Sequence, residues 1–514
     1  MSDEENKLSR RSFLKGVAAG TVAVASAGAL AGCGSTGGSE LPKKWDKEAD
    51  VVVVGYGGAG AAAAIAAREA GAEVIVLEKR EVPGGSTAIC GGIINAANTS
   101  VQQAAGIEDS ADKMYQHWLN AGKGFNNPEL ARIAADQSAA NVEQLLALGA
   151  TSAPPTVTGA EVNVGSEPIA RAHTISYGDL TGGSALFAAL ADGAEAAGAE
   201  ILMETPGKEL VVDADGVVLG VKAESEGQDM YIKARKGVIL ASGGFTRNKE
   251  MLAAFTRDGY YSQPLGTPGL EGDGHRMAFA LGADVANISE ILGIPGLTLP
   301  GAVSATYAFW TFIPTIPAIL VNLEGRRFCD EFGFYDWKNT ALLAQPEHRA
   351  FSVFDDAARQ AGAGMIVQGF SEDLDAEVAA GTVLKADTLA GLADQMGIPA
   401  ARFEETVAKW NADVAAGADS EYGRTGGLGP VTTAPFYAFA TYSTMFDNSG
   451  GLKINTKAQV VDVWGNPIPR LYAAGQVAGG LIGEHYSGSG SAINGCLTFG
   501  RVAGQSAAAE EALT

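Results

Sequence analysis

The sequence predicts an α/β protein: a Rossmann-like, dinucleotide-binding domain into which an α+β cap domain is inserted. Three observations predict it. A valine run, Val51–Val54, breaks into Gly55-Tyr56-Gly57-Gly58-Ala59-Gly60, passes through an alanine-rich segment and returns as an apolar run that ends in Glu78-Lys79. A second glycine turn, Ala241-Ser242-Gly243-Gly244-Phe245, follows another apolar run, Gly237–Leu240. From Leu292 the texture changes, with prolines at 295, 300, 314 and 317 and aromatics at Tyr307, Phe309, Trp310 and Phe312, and the chain returns to the first domain at Asn448-Ser449-Gly450-Gly451.

In chain order, residues 1–33 read as a leader. Arg10-Arg11 precedes Gly16–Leu30, a run of Gly, Ala and Val too short and too weakly apolar for a dependable membrane span. It resembles a twin-arginine export signal, and Leu30-Ala31-Gly32-Cys33 resembles a lipobox. The expectation is an exported protein acylated at Cys33, anchored to the outer face of the cell membrane through a flexible tether, residues 34–45.

Residues 46–291 carry the first part of the nucleotide domain. Gly55, Gly57, Gly58, Ala59 and Gly60 let the backbone turn tightly and approach a pyrophosphate, whose charge suits the positive end of the following helix. Glu78, about 20 residues on, can accept ribose hydroxyls, with Lys79 beside it. Gly84-Gly85-Ser86-Thr87 forms another turn that could cradle the cofactor beyond its diphosphate. Helical periodicity dominates 111–149 and 183–198, and Leu210–Val221 and Met230–Leu240 read as strands with a hairpin at Asp213-Ala-Asp215-Gly216. Gly243 and Gly244 fit the far side of the nucleotide site; His173 is a further candidate catalytic residue, with a hydrogen-bonded structural histidine as the alternative, and Tyr177 a candidate third site tyrosine.

Residues 292–446 read as the cap, helical over 387–417, with Tyr307–Phe312 either core or a wall for a flat apolar substrate. Residues 447–514 return to the first domain through Leu471–Gln476, with Gly475 and Gln476, and through Gly488–Gly495, before a last helix. A site between domains that close over it suits chemistry that must exclude water.

Composition excludes several functions. The net charge of −23 leaves no basic surface for nucleic acid. Beyond Cys33 the cysteines are scattered at 90, 329 and 496, without CxxC or CxxCH, so zinc, iron–sulfur and covalent haem have no sequence case. Electrons must then come from a separate partner.

Val51–Gly60, Val76–Lys79, Gly84–Thr87, Ala241–Phe245, Arg470–Gly475 and Gly490–Asn494 together resemble the FAD-dependent fumarate reductase and 3-ketosteroid dehydrogenase superfamily, over nearly everything after Asp46. The resemblance implies a Rossmann-like FAD-binding domain that holds the ADP half of FAD at Gly55–Gly60 and Glu78. It places the isoalloxazine near Gly84–Thr87 and the backbone of Ser491, Ala492 and Ile493.

The chain departs from the fumarate reductases of that superfamily. The position of their proton-donor arginine falls on Tyr335, their histidine before the returning glycine pair is replaced near Asp447, and Gly483–Gly490 occupies the loop of their late arginine. A dicarboxylate finds no bidentate cationic clamp in these motifs. Tyr335-Asp336 and His485-Tyr486-Ser487-Gly488-Ser489-Gly490 instead resemble the ketosteroid dehydrogenase branch. That branch implies Tyr335 as proton donor or base, and Tyr486 with the Gly490 N–H at the carbonyl oxygen. The chemistry agrees: hydride adds readily to a C=C only where a carbonyl accepts the electron density, which calls for neutral donors at that oxygen and an acid at the α-carbon.

The expected function is therefore an FAD enzyme acting on an unsaturated carbonyl compound such as a 3-oxosteroid enone, fed by a quinol-linked cytochrome or similar donor. Two alternatives stand: a reductase of an unsaturated acid, with Arg171 or Arg247 as its cation, and a flavoprotein that only relays electrons.

Overall fold

The computed structural model describes residues 41–297, 317–362 and 371–513, so the leader with Cys33 and the aromatic stretch Tyr307–Phe312 lie outside the described residues. Four consecutive valines decide the centre of the main sheet. In β1 (Lys47–Val54), Val51–Val54 are all buried, as expected of a parallel strand covered on both faces. The chain turns into α1 (Gly58–Glu69), buried from Gly58 to Ala67, and returns as β2 (Val74–Leu77), parallel to β1 with Val54 opposite Leu77. A short helix α2 (Gly85–Ile89) follows, then β3 (Ile93–Asn95), antiparallel to β4 (Ala172–Tyr177).

The predicted helical stretch 111–149 is three helices, Ala111–Gly122, Pro128–Asp136 and Ser138–Ala147. Asn127 caps the second and Pro128 occupies its first turn, where a missing N–H costs nothing. After α3 (Gly182–Ala196) and β5 (Glu200–Leu202), the predicted hairpin forms: Asp213 Oδ1 accepts from the amides of Asp215 and Val217, and β6 (Val218–Ser225) leads into the long β7 (Gln228–Leu240). β7 lies parallel to β1 with Leu240 opposite Val54, so the turns after β1, β2 and β7 open on one edge of the sheet.

A second sheet is built from β8 (Ile291–Gly296), β9 (Ile319–Asn322), β10 (Arg349–Asp355) and β11 (Phe436–Asn448), with α4 (Tyr335–Leu343) between β9 and β10. β11 pairs with β10 from Phe436 to Tyr442 and with β8 from Tyr442 to Asn448. Its register against β8 slips at Phe446, a bulge of the kind that re-aims side chains beside functional sites. The predicted helix 387–417 is two, Leu389–Met396 and Ala400–Ala416, because Gly397 caps the first in the left-handed region and Pro399 lacks the N–H to continue it. They cover one face of this sheet around Trp410 and Phe403.

The chain rejoins the main sheet in β12 (Pro467–Ala473), parallel to β7, and ends in α5 (Ser491–Ala508). Small residues let α5 lie directly on α1: a methyl at Gly500 would stand 2.6 Å from the carbonyl oxygen of Ala59.

Candidate active site

At the open edge of the main sheet lies a cavity of about 450 Å³, lined by the turns after β1, β2 and β7, by the N-terminus of α5, and by Tyr335, Tyr486 and Asp447. Gly55 holds φ +109°, and a side chain there would press within 2.7 Å of the Ala241 backbone, so the turns after β1 and β7 close on one another only with glycine at this position. Gly57 caps α1 without a side chain, the Thr87 hydroxyl takes the Gly58 N–H at 3.1 Å, and Gly57, Gly58 and Ala59 line the cavity, where the start of a helix suits an anion. Glu78 is buried, accepting from the amides of Tyr56 at 3.0 Å and Arg80 at 2.9 Å, which fixes its carboxylate against the glycine turn. Ser86 Oγ is buried without a partner among the described residues, as expected of a group awaiting a ligand. These features fit a dinucleotide.

Most residues expected at the cofactor line this cavity, including Gly85, Gly243, Gly475, Gln476, Ala492 and Ile493. Gly60, Gly84, Gly244 and Ser491 do not; they permit close packing beside it. A methyl on Gly60 would run into the Gly55 carbonyl, one on Gly84 into Ala88, one on Gly244 into the Asn448 side chain, and Ser491 accepts from Ser487 Oγ at 3.0 Å. Lys79 lines the cavity, but its ammonium is held by Asp273 at 2.6 Å and Glu271 at 3.2 Å.

Tyr335 and Tyr486 come together, ring centroids 6.3 Å apart, in an apolar cluster with Leu265, Leu292, Ile294 and Phe334. Asp336 ties their supports to one another: its carboxylate accepts from the Tyr486 amide at 3.3 Å and contacts His485 Nδ1 at 3.2 Å, and the His485 ring stacks on Trp337. From the far side the buried His117 donates through Nε2 to the Ser487 carbonyl and holds the same loop. The Tyr486 hydroxyl accepts the Ala492 N–H at 2.9 Å, and the Gly490 N–H also points to it. Gly490 lines the cavity beside Tyr486, so its amide and the Tyr486 hydroxyl lie at one place. With its oxygen serving amides, the Tyr486 O–H is left to donate outward. Tyr335 approaches Ser489 Oγ at 3.5 Å. Burial pushes both phenols well above the ordinary tyrosine pKa, so both are protonated donors at neutral pH.

Ser489 and His117 were not singled out from sequence, and Asp447 was named only as the place where a fumarate reductase histidine is replaced. Asp447 stands beside the Phe446 bulge; burial, reinforced by the neighbouring Asp336, raises its carboxyl to about 6. Its place before Asn448-Ser449-Gly450-Gly451 was the available signal.

His173 is a correction. It is fully buried in the β3–β4 pairing, with Nε2 on Thr99 Oγ1 at 2.8 Å and Nδ1 on the Arg171 carbonyl at 2.8 Å, and it does not line the cavity. Tyr177 bonds Asp192 away from the cavity. Arg171 forms a buried bidentate pair with Asp109, and Arg247 donates to the Gly266 carbonyl, so neither nominated cation reaches the site. Among the described residues the only cations lining the cavity are Lys79 and Arg80, which adjoin Glu78. The stretches 298–316 and 363–370 contain no Lys, Arg or His.

The FAD binding domain model matches residues 50–493. Fumarate reductase (cytochrome) of Shewanella frigidimarina is 34% identical over 462 residues, 89% of this chain and 77% of that protein. Digoxin reductase of Eggerthella lenta is 30% identical over 561 residues, covering 99% of this chain and 98% of that protein. The crystal structure of a 3-ketosteroid-delta4-(5alpha)-dehydrogenase from Rhodococcus jostii, in complex with 4-androstene-3,17-dione, superposes with a TM-score of 0.75 at 28% identity, covering 91% of this chain and 98% of that one.

Proposed function

Because the chain belongs to the FAD binding domain family and is an FAD-dependent oxidoreductase of the fumarate reductase family, acting on carbon–carbon double bonds, we propose that its substrate is a neutral compound whose C=C is conjugated to a carbonyl, such as a 3-oxosteroid enone. One observation carries this reading: among the described residues, the polar groups that meet in the apolar part of the cavity are two protonated tyrosines, Ser489 and a buried acid, with no cation among them.

Bound along Gly55–Ala59, Glu78 and the N-terminus of α5, FAD supplies the hydride chemistry. The chain's residues do the rest. Tyr486 donates its O–H to the carbonyl oxygen and stabilises the negative charge that develops there. Tyr335, held protonated by burial, gives its proton to the α-carbon. The apolar wall of Leu265, Leu292, Ile294 and Phe334 excludes water, and residues 292–446 act as the cap over the substrate. Electrons come from a separate redox partner, and the leader supports export with lipid attachment at Cys33, which mass spectrometry of the membrane fraction would test.

The relatives that reduce unsaturated acids favour a second reading, but a carboxylate would lack a partner here, since Arg171 and Arg247 are engaged elsewhere. Tyr335→Phe and Tyr486→Phe test the proposal. Tyr335→Phe should keep full FAD content and lose roughly 10²-fold or more in kcat, the range for a general acid. Tyr486→Phe should lose kcat/KM for carbonyl substrates to a similar extent. Near-normal turnover in both variants would refute the assignment, and a protein that only relays electrons would respond to neither.

A further inference from the structure

Asp447 is an acid the reaction does not consume. It lines the cavity, is buried, and leaves Oδ1 without a hydrogen-bond partner among the described residues. Its other oxygen receives Gln476 Nε2 at 3.3 Å. The pairing of Asp447 with Leu292 uses the backbone alone and needs no carboxylate. A buried polar atom left unpaired is costly, and the hydrogen bonds that Gln476 and Ser449 give this carboxylate do not outweigh its burial. The groups that face it are acidic or neutral: Asp336 from α4, Tyr335 and Tyr486 beside it, Gln476 from the turn after β12, and Ser449 at its own strand end. No cation is among the groups that bias its carboxyl.

Resting on the neutral-carbonyl reading above, we propose that Asp447 is a specificity-determining residue: a fixed negative charge beside the two tyrosines that turns away substrates whose carbonyl belongs to a carboxylate. Two anions brought together in an apolar, water-poor pocket repel far more strongly than in water, and a repulsive element discriminates as effectively as an attractive one. Asp336 adds to the same field but is engaged by His485 and the Tyr486 amide. A neutral ester or ketone meets no such penalty and can approach Oδ1 through a polar hydrogen or a water. Because the Asp447 carboxyl titrates near 6, the exclusion weakens as the pH falls below that value.

The test uses a matched pair, cinnamate and methyl cinnamate, which differ in charge at the carbonyl end. Cinnamate stays largely ionised from pH 5 to 8, as carboxylic acids with pKa values near 4 do. Dissociation constants are read from the flavin absorbance change of the oxidised, FAD-loaded protein, so no turnover is required. The expected result at pH 8 is at least ten-fold preference for the ester, falling several-fold at pH 5 in the unmodified protein and falling at least ten-fold at pH 8 in Asp447→Asn. The pH arm needs no variant and stands if Asp447→Asn folds poorly. A strong ester preference indifferent both to pH and to Asp447→Asn overturns the role of Asp447 and leaves the neutral-carbonyl reading standing. Tighter binding of cinnamate than of its ester overturns both. Equal affinities, or binding of neither compound, also overturn the exclusion by Asp447.

Discussion

Tyr335 and Asp447 share one pocket and one physical cause, burial, yet the cause acts on them with opposite use. Desolvation disfavours the phenolate of Tyr335, which keeps the proton where an acid catalyst needs it. The same desolvation raises the Asp447 carboxyl from 3.8 to about 6 and makes its ionised form a burden on the fold. For a carboxyl whose pKa is higher folded than unfolded, the penalty is absent below about 4, grows between about 4 and 6, and is complete above 6. Asp447→Asn keeps an acceptor for Gln476 and removes the charge. Thermal denaturation of the FAD-loaded variant should therefore show added stability of up to about 3 kcal/mol at pH 8, from about 1.4 kcal/mol per pKa unit, and little or none at pH 4. A gain equal at both pH values would contradict this account of the carboxyl. The tyrosines and the glycine turns were legible in the sequence because each belongs to a short ordered motif. Asp447 was not, because its role depends on a bulge and on burial that no local pattern encodes. His173 was misread for the converse reason: Arg-Ala-His looks like a polar site, but strand pairing commits both ring nitrogens to protein partners.

At the scale of elements, α4 presents Tyr335 from its first residue, and what fixes the start of α4 is a buried ion network just before it. Arg327 pairs with Glu331 at 2.7 Å and with Asp419 at 2.9 Å, all with side chains about 1% exposed or less, and lies over the Trp410 ring at 4.4 Å. Glu331 also accepts the Leu320 amide at 3.1 Å, which ties the segment to β9. The Arg327 guanidinium holds the Asp419 carboxyl down to about 2. Arg327→Met would remove the ion-pair partner of the buried Asp419 and leave Glu331 with Arg424, and breaking such a network by one partner costs about 3–5 kcal/mol. Denaturant unfolding should show a loss of that size; a loss below about 1 kcal/mol would mean that the network is not what anchors the loop. No local pattern in the sequence joins Arg327 to Asp419 and Arg424, since a contact between residues far apart in the chain leaves no periodic trace. Helix breaks at Asn127-Pro128 and Gly397–Pro399 were legible in principle, because capping and proline chemistry are local.

At the scale of the whole molecule, the main sheet supplies a dinucleotide cradle at one edge, and β11 of the second sheet ends at Asn448 against it, so residues from both sheets meet in one cavity. The α/β class, the strand–turn–helix order and the return of the chain after the second sheet were readable because they follow from buried apolar runs punctuated by glycine. Substrate selection was less so, because it depends on which charges reach the cavity, and that is settled only by three-dimensional pairing of Arg171 with Asp109 and of Lys79 with Asp273. The central claim is that a neutral, carbonyl-conjugated C=C accepts the hydride. Its most direct test is anaerobic reoxidation of the dithionite-reduced, FAD-loaded protein, followed by flavin absorbance, with 4-androstene-3,17-dione, cyclohexenone, digoxin, urocanate and fumarate offered separately. The account predicts rapid reoxidation by one or more of the neutral carbonyl compounds and none above background by fumarate or urocanate. Rapid reoxidation by the acids alone would contradict it.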